Sequence, residues 1–228
     1  PPLTSVFRQV LAPPRWTSRG GMSSIGIGYL AMRHGLDAFW ETLPVGQYEY
    51  PDWLCFGGRG RSECADILER FLPSRLNRAE QVIHLDYHTG LGHWGTGKLL
   101  LPEGDSAENL AWWKTQFGPA QVHGPAPGER AYEVRGGLGE WLQTRFPHCR
   151  YRFATAEFGT YSPFRMLKAL VDELRLYTES RVRSADHPSR RRLSDAFVPP
   201  RPSWRIKTLQ LGLEWACQST NLLWPTGD

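Results

Sequence analysis

The sequence predicts an α/β fold, with a mixed, mostly parallel sheet flanked by helices, and three observations lead there. Short apolar runs at 81–88, 99–101 and 151–158 read as strands. Around and between them, segments at 62–72, 109–117, 138–146, 163–177 and 203–219 repeat their apolar residues at helical spacing. Strands alternating with helices build layered α/β domains. Composition agrees: 228 residues, 40% hydrophobic and 22% charged, carry 10 Trp, 10 Phe and 8 Tyr. That is enough apolar surface for one domain spanning 1–228, and it excludes disorder over the whole length.

The elements follow in order. Residues 1–22, with Pro13-Pro14 and Gly20-Gly21, read as a loop-rich entry. From 23 to 43, Ile27, Leu30, Ala31, Leu36, Phe39 and Trp40 suggest a helix capped by Ser23 or Ser24. A Gly-rich turn (Gly57, Gly58, Gly60) precedes the helix at 62–72, whose inward side is Ala65, Leu68, Phe71 and Leu72. The helix at 163–177 opens on Pro163, which suits a first helical turn.

The net charge of +4 is concentrated rather than spread. Between Arg181 and Lys207 lie eight Lys/Arg against two Asp. This stretch reads as a solvated connection. Few aromatics interleave with its charges, so nucleic acid is not an expected partner. No apolar run approaches the roughly 20 residues of a membrane-spanning helix. The four cysteines (Cys55, Cys64, Cys149, Cys217) form no C-x-x-C pair and read as free thiols, which suggests a cytoplasmic location.

Chemistry concentrates at two strand ends. In Val82-Ile83-His84-Leu85-Asp86-Tyr87-His88, alternation puts His84, Asp86 and His88 on one face. His88 sits where the strand meets a Gly-rich loop, and ligands bind at the carboxyl ends of strands in open α/β sheets. The run Phe153-Ala154-Thr155-Ala156-Glu157-Phe158-Gly159 carries one acid among apolar residues, which must be paired, metal-bound or protonated. Taken alone, His88 could be an ordinary structural histidine and Glu157 a structural ion-pair member.

Two phosphate-loop spellings overlap this region. Gly90 to Gly95 reads G-x-G-x-x-G, and Gly92 to Lys98 reads G-x-x-x-x-G-K. Both motifs need a following helix, whose free N–H groups hold the phosphate. Here Leu99-Leu100-Leu101-Pro102 follows instead, and Leu99 offers no hydroxyl to a magnesium ion. Nucleotide binding is not expected.

Asp86-Tyr87-His88-Thr89-Gly90-Leu91-Gly92 resembles the D-L-H-T-G-L-G strand end of the zinc carboxypeptidase superfamily. It is most similar to a bacterial branch near succinylglutamate desuccinylase and aspartoacylase. Ala156-Glu157-Phe158-Gly159-Thr160 resembles that branch's second signature. The resemblance implies His88 as a zinc ligand and Glu157 as the general base acting on zinc-bound water. Phe56 to Glu63 resembles the loop-to-helix stretch after the family's Asn-Arg motif, which makes Arg59 a substrate-binding candidate. Tyr132-Glu133-Val134-Arg135-Gly136-Gly137 resembles the segment that supplies a substrate-contacting tyrosine, here Tyr132. Asp86, sharing a face with His88, is the candidate to orient its imidazole.

The resemblance has one departure. The family's H-x-x-E ligands do not occur before Asp86. With a Pro1-Pro2 start, the expectation is the C-terminal portion of a zinc carboxypeptidase-like domain whose N-terminal part is missing. The expected function is a zinc hydrolase of a peptide or N-acyl amino acid, incomplete or inactive in this chain alone, with weak zinc binding. The alternative is a non-catalytic α/β binding or regulatory module on the same fold.

Overall fold

The computed structural model describes residues 46–48, 51, 54–124, 137–179, 184 and 186–224. The helix expected at 23–43 and the candidate Tyr132 lie outside them. The chain divides into two compact units, Pro1–Ser62 with Leu167–Leu193, and Glu63–Met166 with Ser194–Asp228.

The described elements run α1 (Glu63–Phe71), α2 (Pro73–Leu76), β1 (Gln81–Gly90), β2 (Gly97–Leu100), α3 (Ala107–Phe117), β3 (Val122–His123), α4 (Leu138–Arg145), β4 (Arg150–Gly159), α5 (Pro163–Glu179), α6 (Pro188–Phe197) and α7 (Pro202–Leu223). The four strands form one sheet in the order β1-β4-β2-β3. β1 pairs parallel with β4, and β2 parallel with β3, while β4 and β2 run antiparallel. The sheet is therefore mixed and the fold α/β, as the sequence predicts.

The sheet belongs to the second unit, and side-chain alternation explains how its core forms. Ala154, Ala156 and Phe158 point to one face of β4 and are buried with Leu99, Trp113, Phe117, Val122, Trp204 and Trp215. Small alanines on the central strand let bulky rings approach. Trp215 of α7 stacks on Phe158 with ring centroids 5.4 Å apart. Gly97 of β2 is required for this packing, because a Cβ there would lie 2.6 Å from Leu211 and 2.8 Å from Trp215. Tyr87, on the same face, donates its hydroxyl to the Gly212 carbonyl at 2.9 Å.

α3 starts two residues earlier than its apolar pattern suggests, since Ser106 caps it. The Ser106 hydroxyl accepts from Asn109 N at 3.0 Å, and Asp105 accepts from the Asn109 amide side chain. Pro202 opens α7 in the first-turn position.

The basic stretch differs from its sequence reading. It contains α6, which opens on Pro188. Within the first unit, Arg190 pairs with Glu173 at 3.4 Å, and Asp172 takes Lys168 at 2.6 Å and Arg192 at 3.9 Å. Acids on α5 give the arginines a folded partner, which a count of charge along the chain does not register. All four cysteines are free thiols. No described helix is long and apolar enough to cross a membrane.

Candidate functional site

Parallel pairing of β1 and β4 brings the two singled-out strand ends side by side. The register matches His84 with Phe153, Asp86 with Thr155 and His88 with Glu157, and both strands end together at Gly90 and Gly159. Residues opposite each other in a sheet share a face, so His84, Asp86, His88 and Glu157 all project away from the face that packs on α7.

Glu157 is only 5% exposed. Its Oε1 accepts a hydrogen bond from the Leu91 backbone N–H at 2.8 Å. Burial pushes its carboxyl above the ordinary carboxylate range, and the Leu91 N–H and the nearby His88 partly oppose that. The result is a sheltered carboxyl that is a better proton acceptor than an exposed one. Lys98 lies opposite Glu157 on β2, but its ammonium donates to the Ala120 carbonyl at 2.6 Å.

His88 is half-exposed, and its Nε2 lies 3.0 Å from Asp86 Oδ2. The two residues are two apart on one strand face, so the contact follows from the pleat. Deeper on the same face, Tyr151 hydroxyl meets His84 Nδ1 at 3.1 Å, and burial lowers the His84 pKa. His84 is thus a packed core-edge histidine.

The glycine loop packs against the end of β4. Gly159 donates to the Thr96 carbonyl at 2.9 Å and accepts from Gly95 N at 3.0 Å and from Trp204 Nε1 at 2.8 Å. A Cβ on Gly159 would sit 2.0 Å from the His93 carbonyl oxygen. Gly92, at φ 102°, makes a turn that side-chain-bearing residues rarely adopt. The loop then enters β2, a strand, so no helix N-terminus follows either phosphate-loop spelling.

Several neighbours of Glu157 carry no local sequence signal. A side chain built on Gly90 would lie 3.6 Å from Met166 and Phe197 and 3.8 Å from Glu157 Oε1, so these groups converge over the strand end. Thr160, buried, donates to the Gly90 carbonyl at 3.3 Å. Phe197 comes from α6, far along the chain, and only the folded molecule brings it here.

Of the other candidates, Tyr132 lies outside the described residues. Arg59 is exposed and belongs to the first unit. Among the described residues, no group of three His, Cys, Asp or Glu side chains could hold a metal ion.

A family model described as "Protein of unknown function (DUF2817)" matches residues 5–211. Searches of the curated proteins and of the solved structures found no match.

Proposed function

This chain belongs to the DUF2817 family, and we propose that it carries the general-base half of a hydrolase of the zinc carboxypeptidase type, acting on a peptide or N-acyl amino acid. One observation carries the reading. The two signature strand ends are register partners, so the buried Glu157 carboxyl lies beside a His88 imidazole held by Asp86.

The chemistry assigned to these groups is proton transfer. Glu157 takes a proton from the attacking water as the oxygen–carbonyl bond forms, then delivers it to the leaving amine as the C–N bond breaks. A raised pKa suits both halves of that cycle, because the carboxyl must accept a proton and give it back. Asp86, with Oδ2 3.0 Å from Nε2, orients the ring of His88.

Zinc belongs to this reading by resemblance. A hydrolytic zinc site takes three protein ligands, and the described residues do not make that set. His88 stands beside Asp86, and Glu157 Oε1 accepts from Leu91 N. No step is therefore routed through the metal, and zinc binding by this chain is expected to be weak. The second reading is a binding module that keeps the fold without turnover.

Hydrolysis of peptides and N-acyl amino acids by the full gene product separates the two. The hydrolase reading expects turnover that Glu157→Gln reduces by at least about 100-fold, the scale of general-base loss, without altering the fold. Turnover that survives Glu157→Gln would overturn it.

A further inference from the structure

On the reading of this strand end as a peptide site, we propose that Trp94, Tyr161 and Arg165 form a second subsite beside it, one that holds an acidic side chain of a peptide-like ligand. The Tyr161 ring lies 4.9 Å from that of Trp94, and the Arg165 guanidinium carbon sits 3.5 Å over the Tyr161 ring. Both rings are half-buried, and Arg165 is exposed. The stack is fixed from below. The Trp94 ring lies 6.4 Å from that of the buried Trp204, whose indole donates to the Gly159 carbonyl, and Gly95 N donates to the same oxygen. On the other side, Tyr161 leads into α5, where the Arg165 backbone N–H donates to the Ser162 carbonyl. A ring beneath a guanidinium holds it by cation–π attraction and leaves its N–H edge to a ligand.

The charge of that rim identifies the ligand. Arg190 and Arg192 have acids on α5 as partners, whereas among the described residues no carboxylate pairs with Arg165. Lys207 adds a second cation. Its Cδ is 3.4 Å from the place of a Gly95 side chain, and among the described residues it has no carboxylate partner either. Two such cations beside two half-buried rings fit a chain with an apolar body and a carboxylate. Guanidinium groups bind carboxylates through paired N–H bonds, and Trp, Tyr and Arg dominate the anchoring residues of interfaces. The stack also lies within reach of the base. Tyr161 follows Glu157 by four residues, which sets their Cα atoms at most about 14 Å apart. Met166, next to Arg165, comes 3.6 Å from the place of a Gly90 side chain, and Glu157 Oε1 is 3.8 Å from it. An extended ligand advances about 3.3 Å per residue, so one chain can span Glu157 and the stack within about four residues.

The test is the Trp94 indole N–H resonance of the nitrogen-labelled 228-residue chain, assigned by Trp94→Phe. It is titrated with blocked alanine tetrapeptides that carry one glutamate, glutamine or lysine. The glutamate peptide should shift the resonance with a Kd at least tenfold below that of the glutamine peptide, an advantage that shrinks in high salt. Arg165→Ala should abolish the preference and Arg165→Lys should keep part of it, both with the circular dichroism spectrum unchanged. Equal binding of the glutamate and glutamine peptides, indifference to Arg165→Ala, or no shift at Trp94 with any peptide would overturn the proposal. So would a single-stranded oligonucleotide that binds there more tightly than the acidic peptide. Subsite and base fail separately. Hydrolysis by the full gene product that Glu157→Gln abolishes, but that ignores both Arg165→Ala and the acidic residue, strikes the subsite alone. An acid-dependent shift at Trp94 without turnover supports the subsite and strikes the hydrolase.

Discussion

Replacing Gly159 with alanine tests how the glycine loop and the base are joined. The added Cβ would sit 2.0 Å from the His93 carbonyl oxygen and 2.6 Å from the Gly92 carbonyl carbon, both backbone atoms. Close carbon–oxygen contacts in proteins start near 3.3 Å, so the loop must retreat by about 1.3 Å. Overpacking of that kind typically costs about 1–3 kcal/mol. A shift of this size also breaks or lengthens the bonds from Gly159 to Thr96 and from Gly95 to Gly159, each worth about 1 kcal/mol net. The expected loss is therefore about 2–5 kcal/mol, or roughly 4–20 °C in Tm for a chain of this size. Urea unfolding, followed by tryptophan fluorescence, measures it. The same displacement pulls Leu91 N away from Glu157, so the carboxyl pKa should rise further in the variant. A loss below about 0.5 kcal/mol would show that the loop is not held against β4, and the reasoning about Glu157 would fall with it.

Other expectations follow from the same contacts. Because burial raises the Glu157 pKa, the native state holds that proton to higher pH than the unfolded chain. Its contribution therefore favours folding at low pH and is lost as pH rises from the ordinary carboxylate range through the raised value. The stability of the native chain relative to Glu157→Gln should fall over that window in urea titrations, and a rise would contradict the assignment. Tyr151 is pushed up to about 12 by burial, so its contribution is lost as pH climbs from about 10 to about 12. Phenolate absorbance should show a late-titrating group that Tyr151→Phe removes. Trp204→Phe deletes the indole N–H donated to the Gly159 carbonyl and should cost about 1–3 kcal/mol by thermal or urea unfolding, since a buried acceptor loses a partner.

Legibility differed between strands, helices and site for physical reasons. β1 and β4 were readable because strands between turn residues leave compact apolar runs, half-buried in β1 and mostly buried in β4, and alternation then assigns His84, Asp86 and His88 to one face. Their parallel adjacency places His88 opposite Glu157, which no local pattern states. β3 is two residues long and, among the described residues, pairs only with β2, too short to leave a periodic trace. α6 was hidden by Arg190, Arg191 and Arg192, whose charge suggests solvent until Asp172 and Glu173 of α5 are seen opposite. At the site, the two side chains were legible but their partners were not. Leu91 contributes a backbone N–H, and Phe197 and Met166 arrive from other elements. The glycines at 90–95 spell a phosphate loop, yet all three carry the backbone through positive φ, and Gly92 packs against Gly159. The spelling is shared because both tasks need residues without a Cβ.

The account rests on Glu157 acting as a base beside His88, and the ionisation of that carboxyl tests it most directly. Carbon-detected NMR of the labelled chain, titrated from pH 3 to 9 with Glu157→Gln to assign the resonance, reads its pKa. The predicted result is a Glu157 pKa above that of the exposed glutamates, rising further in Gly159→Ala and shifting when His88→Ala removes its neighbour. A Glu157 that titrates with the exposed glutamates, indifferent to His88, would contradict the shared site and with it the proposed hydrolase.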